Sequence, residues 1–214
     1  MPLENSKIAR NFSKASHSYE QEAVVQQYMA VELANRIRPG SLGQTERVLE
    51  IGPGTGIFTK NYLPHNSDIS VDVVELSAGM RSIFQQNFPQ NTGVMVPGLE
   101  GIEGKYDFVF SSCCLHWFED LSKLFSELRG KVKPQGQIIF SLMLDGTFQE
   151  LVHSVSVERN RARVFQFPSL DILKNALQTA GFEIQEFGQE RLFETYPDFW
   201  EFMGSLRLLS LIHI

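Results

Sequence analysis

Apolar positions along the chain fall into two rhythms. Near the N-terminus, Ile8, Phe12, Ala15 and Tyr19 recur at three- and four-residue spacing, and Val24, Tyr28, Val31 and Ala34 repeat that course before Pro39-Gly40. Such spacing gathers residues on one helical face, so two helices are expected, each turning these side chains inward. From Arg47 the pattern changes to short apolar runs at 47–51, 70–75, 93–97, 106–111 and 136–142, separated by helical segments at 55–63, 77–87 and 119–132. Runs of this kind alternating with helices describe a parallel sheet covered on both faces. Ser77 is a favourable N-cap for the helix at 77–87, and Pro134-Gln135-Gly136 reads as a turn before the fifth strand.

Beyond the fifth strand, residues 146–163 read as a helix carrying Arg159, Arg161 and Arg163. Phe167-Pro168-Ser169 opens another, with Leu170, Leu173, Leu177 and Ala180 inward and Gly181 as its stop. Apolar runs at 182–187 and 191–195, joined at Gly188-Gln189, predict an antiparallel pair. The expected architecture is α/β, with a seven-stranded sheet that is mostly parallel, its last strand antiparallel, and helices on both faces. A dinucleotide-binding fold would more typically carry six parallel strands.

The loop after the first strand concentrates the chemistry. Glu50 is followed by glycine at alternate positions, Gly52, Gly54 and Gly56, where the backbone can turn tightly and approach a ligand. A helix opening directly after the loop would aim its free amides at that ligand. Dinucleotide sites use G-x-G-x-x-G; the spacing here differs, and a leading carboxylate suits a ligand with a cationic end. S-adenosylmethionine (AdoMet) carries an ammonium group there, and NAD does not. Glu75 ends the second strand 19 residues after Gly56, a position from which an acid accepts hydrogen bonds from ribose hydroxyls. Both AdoMet and NAD present that diol, so Glu75 supports a nucleoside without choosing between them.

Composition narrows the setting. A chain of 214 residues with 43% hydrophobic and 21% charged residues is ordinary for one globular domain. No apolar run approaches the roughly 20 residues of a membrane span, and the first residues lack the basic-then-apolar layout of a leader, so a cytoplasmic protein is expected. A net charge of −6 argues against a nucleic-acid surface built on bulk charge. The two cysteines, Cys113 and Cys114, are adjacent; they suit a reducing compartment and buried packing, and supply neither a disulfide framework nor a metal site.

The Glu50-x-Gly52-x-Gly54-x-Gly56 segment resembles motif I of class I AdoMet-dependent methyltransferases, whose fold is Rossmann-like. The match narrows at Ile8-Ala9, Phe12, Ala15 and Tyr19-Glu20, at Ser111 followed by His116-Trp117-Phe118, at Lys133-Pro134-x-Gly136, and at Gly146-Thr147-Phe148-x-Glu150-Leu151. From residue 8 to about 207 the chain is similar to malonyl-acyl-carrier-protein O-methyltransferases of biotin biosynthesis. That resemblance implies methyl transfer from AdoMet to the free carboxylate of a malonyl group on acyl carrier protein or coenzyme A, by a monomer. A malonyl carboxylate is ionised at neutral pH, so no catalytic base is required.

The same resemblance implies roles residue by residue. Glu50, Gly52, Gly54 and Gly56 would cradle the methionine part of the cofactor, Glu75 the ribose, and Leu76 and Met80 the adenine. Ser111 would line the cofactor side. Tyr19 would close over the methyl group from an N-terminal helical lid (1–40), while His116 and Trp117 face the acceptor; the remaining methyltransferase domain runs over 41–208. Leu99 stands where the family has an acid that contacts the adenine amino group, and Glu100 is the nearest substitute. Arg159, Arg161, Arg163 and Arg207 are candidates to grip the acceptor carboxylate, and Lys123, Arg129, Lys131 and Lys133 could meet an acidic carrier. The last six residues, 209–214, match a translated sequencing-adapter end and are expected to be non-native. The alternatives are another small-molecule O- or C-methyltransferase of the same fold, an NAD-dependent oxidoreductase, and a nonenzymatic AdoMet-binding module.

Overall fold

A computed structural model describes residues 3–38, 42, 46–63, 69–157 and 166–208. Its strands are β1 (Val48–Ile51), β2 (Val71–Val74), β3 (Met95–Val96), β4 (Tyr106–Ser112) and β5 (Val132–Ser141). They lie in the order β3-β2-β1-β4-β5, every neighbouring pair parallel. Its helices are α1 (Leu3–Ala15), α2 (Tyr19–Glu22), α3 (Val24–Ala34), α4 (Thr59–Tyr62), α5 (Ala78–Asn87), α6 (Leu121–Lys131), α7 (Gln149–Val157), α8 (Leu170–Thr179) and α9 (Phe199–Leu208).

Strand alternation divides the core. Leu49, Ile51, Val74 and Val109 face α6 and α8, where Leu124, Phe125, Leu128, Leu173 and Leu177 close one layer. Val48, Val71, Val73 and Phe110 face the other way, under Ala30 and Leu33 of α3, Tyr62 of α4 and Phe84 of α5. Because a parallel sheet is covered on both faces, its central strands are mostly apolar; within β1, Glu50 is the one charged residue, and it is fully buried. The helix starts follow local chemistry, since Ser77, Asp120 and Ser169 each accept a backbone N–H two or three residues into the helix that follows. Gly181, at φ +78°, ends α8.

Several expectations are corrected. No strand ladder forms over residues 182–195, so the sheet has five strands among the described residues instead of seven. The apolar positions there break phase: Phe182 and Ile184 are two apart, Phe187 is three further on, and Leu192 and Phe193 are adjacent. A strand built on that pattern could not keep one face inward. The segment is instead held at a distance through side chains, with Gln137 donating to Gln185 at 3.0 Å and Tyr28 to Glu190 at 2.9 Å. Between it and β5 lies a groove of about 1290 Å³.

The inward face of α3 is also not the expected one. Val24, Tyr28 and Val31 are 59%, 42% and 45% exposed, whereas Ala23, Gln26, Ala30 and Leu33 are buried. Both sets have helical spacing; the one with two alanines lets α3 lie close to β4 and β5. Helix α1 ends at Ala15, and Tyr19 opens the separate turn α2 after residues 16–18. The helix expected at 55–63 is helical only over Thr59–Tyr62, so turns, not a helix N-terminus, follow the glycines. Pro134-Gln135-Gly136 lies inside β5, at a register shift between the Tyr106 and Phe108 pairings. Helix α9 was not expected from the sequence. The lid boundary near residue 40, the arginines at 159, 161 and 163, and the tail at 209–214 lie outside the described residues.

Candidate active site

At the carboxyl edge of the sheet, the chain leaves β1 through three left-handed glycines, Gly52, Gly54 and Gly56, at φ +65°, +60° and +96°. Two of them are needed twice over. A side chain at Gly52 would overlap the Cys114 Sγ, and one at Gly56 would enter the Phe88 ring. Gly54 differs, because a Cβ there would meet nothing within 4 Å. Its left-handed backbone therefore borders open space.

Glu75 fastens this loop to the end of β2. Its carboxylate accepts from the Gly54 N–H at 3.1 Å and the Ser77 N–H at 2.7 Å. Burial lifts its pKa, and these two N–H groups oppose the lift. A carboxylate has about four acceptor positions, so both oxygens keep capacity for a diol. Arg81 donates to the carbonyls of Glu75 and Leu76 and so fixes the turn that carries them. Nothing in the sequence marked Arg81; its position five residues beyond Leu76, in the first turns of α5, is the only hint.

Glu50 lies under the loop. One of its carboxylate oxygens accepts from Thr59 Oγ1 at 2.8 Å and from the Tyr62 hydroxyl at 2.6 Å. The other, Oε1, is buried with no hydrogen-bond donor among the described residues. Burial lifts the Glu50 carboxyl to about 7, the two hydroxyl bonds pulling it down and neighbouring Glu75 pushing it further up. Sequence reasoning missed Thr59 and Tyr62, although their three-residue spacing on one helical turn was the available signal.

Three aromatic rings meet on the other side. Phe12 of α1 stands edge-on to Tyr19 at 6.0 Å and to Trp117 at 5.7 Å. Burial raises the Tyr19 phenol well above its usual range, with Cys113 and Glu75 as further causes; Tyr19 thus sits near the end of β2 as well as the segment after β4. Cys113, at φ +53°, bends that segment, and burial pushes its thiol up to about 12, which leaves it protonated and unreactive.

Other expected residues are placed differently. His116 is buried behind Trp117, its ring 5.3 Å from that of Phe167, and its Nδ1 accepts the Met143 N–H at 3.4 Å. Burial depresses it to about 3, so it is a neutral packing residue at physiological pH and no general base. Ser111 spends its hydroxyl on the Ile51 carbonyl at 2.9 Å, bracing β4 against β1. Leu99 is buried in the layer with Ile51 and Val74, and Glu100 is exposed and folds back over Gly98. Met80 is buried and Leu76 half-buried beside Glu75. Of the expected cationic patch, Lys133 is paired to Asp107 at 2.6 Å, Lys131 donates to the Ile102 carbonyl, and Arg129 stacks on Phe182; Lys123 is exposed.

Known proteins resemble this arrangement. The chain is 29% identical to malonyl-[acyl-carrier protein] O-methyltransferase 2 of Ilyobacter polytropus over 96% of its own length and 80% of the relative's. It is 33% identical to the malonyl-[acyl-carrier protein] O-methyltransferase of Magnetococcus marinus, over 68% of this chain and 56% of that one. Among solved structures, magnesium protoporphyrin IX methyltransferase of Synechocystis PCC 6803 superposes with a TM-score of 0.61 at 20% identity, covering 76% of this chain and 75% of that chain. That likeness identifies the fold as the α/β fold of AdoMet-dependent methyltransferases. Residues 21–186 match the methyltransferase domain, which spans the glycine loop, Glu50, Glu75 and the sheet that holds them. The chain belongs to the methyltransferase-domain family, and the enzyme class it serves is methyl transfer.

Proposed function

We propose that this chain is an AdoMet-dependent O-methyltransferase that esterifies the free carboxylate of a malonyl thioester, carried on acyl carrier protein, in biotin synthesis. The reading rests on the relatives named above and on one observation of the site: His116, beside Trp117, cannot serve as a general base at neutral pH, because burial depresses it to about 3. An acceptor that is already ionised needs none. Family membership removes the NAD-dependent oxidoreductase from the alternatives. Cytoplasmic location and action as a monomer belong to the same proposal, and no helix among the described residues is long and apolar enough to cross a membrane.

The residues fit AdoMet. Glu50 Oε1, buried without a hydrogen-bond donor among the described residues, suits an ammonium group, the space at Gly54 admits a ligand against bare backbone, and Glu75 retains acceptor capacity for a diol. When bound, AdoMet supplies an electrophilic methyl group. The chain's own part is to hold the acceptor oxygen in line, exclude water with Phe12, Tyr19 and Trp117, and keep the cofactor's cationic end on Glu50. We assign α1 and α2 as the lid and leave α3 with the core, into which its buried face is built.

The test is methyl-ester formation on malonyl-acyl carrier protein, malonyl-coenzyme A and free malonate with labelled AdoMet. The expected result is turnover on the thioesters far above free malonate. AdoMet binding without ester formation on either thioester would overturn the acceptor and favour another small-molecule methyltransferase.

A further inference from the structure

Helix α1 has a second face that the site does not use. Lys7, Arg10 and Lys14 follow i, i+3, i+7 spacing and are all exposed. None of the three is in an ion pair among the described residues. The sequence of α1, Leu3–Ala15, contains these three cations and a single acid, Glu4, in a chain whose net charge is −6. A cationic stripe on an acidic protein is a local feature that bulk composition does not produce.

Its position gives it meaning. The rest of α1 is committed: on the flank of the stripe Ser13 Oγ meets Ser77 Oγ at 2.9 Å and accepts the Gly79 N–H at 3.2 Å, and on the opposite face Phe12 abuts Trp117. The stripe is thus the outer surface of the element that covers the candidate site. We propose that Lys7, Arg10 and Lys14 form the docking surface for an acidic protein that delivers the acceptor on a long flexible arm. This rests on the carrier-bound acceptor proposed above.

Size and charge select that partner. Seven residues of helix span about 10 Å, the width of a few neighbouring carboxylates on a small protein and far less than the run of phosphates a duplex-binding surface neutralises. The overall negative charge repels a nucleic acid at longer range. A membrane-binding amphipathic helix needs its apolar face free, and that face is packed on α5 and Trp117. A partner seated on the stripe stands one helix diameter, about 10 Å, from the rings beneath, so only an acceptor on a longer arm reaches them.

The experiment compares the wild type with Lys7→Glu/Arg10→Glu/Lys14→Glu on malonyl-acyl carrier protein and on malonyl-pantetheine, which has the same thioester without carrier or phosphates. The triple variant should raise KM for the carrier-bound acceptor at least tenfold, with kcat and both other KM values changed less than twofold. Wild-type KM for the carrier should rise with salt from 50 to 300 mM and the variant's should not, as expected for screened surface charges. An unchanged carrier KM, or an equal rise for malonyl-pantetheine, would overturn the proposal. If the wild type methylates neither acceptor, the proposed function fails by itself, and direct binding of the acidic carrier by fluorescence anisotropy decides the docking surface: binding lost in the triple variant supports it, and no wild-type binding overturns it. Binding of a DNA duplex or of phosphatidylglycerol vesicles that is equally sensitive to the variant would also overturn the choice of an acidic protein.

Discussion

Glu50 combines a costly burial with an unequal sharing of its two oxygens, and this makes it a pH-dependent group. Its carboxyl, lifted to about 7 by burial, takes up a proton in the folded chain that the unfolded chain, near the ordinary carboxyl value, does not hold. Stability without ligand should therefore fall as pH rises from about 4.5 to 7 and level off above, an effect on the order of 3 kcal/mol. Thermal unfolding across pH 5–8 should show this slope in the wild type and lose it in Glu50→Gln. A cationic ligand reverses the sign, because it favours the carboxylate, so AdoMet affinity should climb through pH 7. Tyr62→Phe keeps the ring packed on Phe58 and Phe110 and deletes one hydrogen bond to the carboxylate. Titration calorimetry on that variant should find the affinity midpoint about one pH unit higher. At Gly54, valine would take a left-handed conformation costing about 1–2 kcal/mol and fill the space bordering the loop. AdoMet binding should fall at least a hundredfold while circular dichroism stays native; retained micromolar affinity would remove the loop from the site.

Elements make a different kind of demand, since a helix or strand is placed by what it can pack against. Residues on the sheet were legible for this reason: the runs ending at Glu50, Glu75 and Ser111 had to be strands, and the loops beyond them had to gather at one edge. Helix α3 was legible as a helix but not in its orientation, because Val24-Tyr28-Val31 and Ala23-Gln26-Ala30 offer two spaced faces and only packing chooses the smaller one. The run at 182–195 has strand-like composition without a consistent phase, and composition alone could not reveal that it stands off β5. Contact between α1 and α5 was equally invisible, because it depends on Gly79. A Cβ there would press on the Ser13 backbone, although alanine would favour helix α5 itself by up to about 1 kcal/mol. Gly79→Ala should therefore leave thermal stability near the wild-type value, raise hydrogen exchange over α1, and lower turnover. If exchange over α1 stays slow, the close approach at Gly79 is not what docks the lid.

At the scale of the whole molecule, the sheet carries the residues proposed for the cofactor, while the proposed cover is an N-terminal segment packed against α5 and Trp117. The two parts should fail separately. Removing residues 1–20 takes away Phe12 and Tyr19 but leaves Glu50, Gly54 and Glu75 on β1, its loop and β2. Turnover should drop at least tenfold, and Tyr19→Phe should also lower it, whereas AdoMet affinity should change much less, because the cover acts on the transition state through water exclusion and alignment. The pH profile separates this cover from a catalytic base. At saturating AdoMet the Glu50 titration is suppressed, the malonyl carboxylate is ionised, and His116 titrates near 3, so kcat should be flat from about pH 6 to 8. Under subsaturating AdoMet, kcat/KM should instead rise through pH 7 with the charge on Glu50. A steep rise in kcat itself at saturation would require a group that loses a proton near neutrality beside the acceptor, which points to a hydroxyl acceptor and against the malonyl carboxylate.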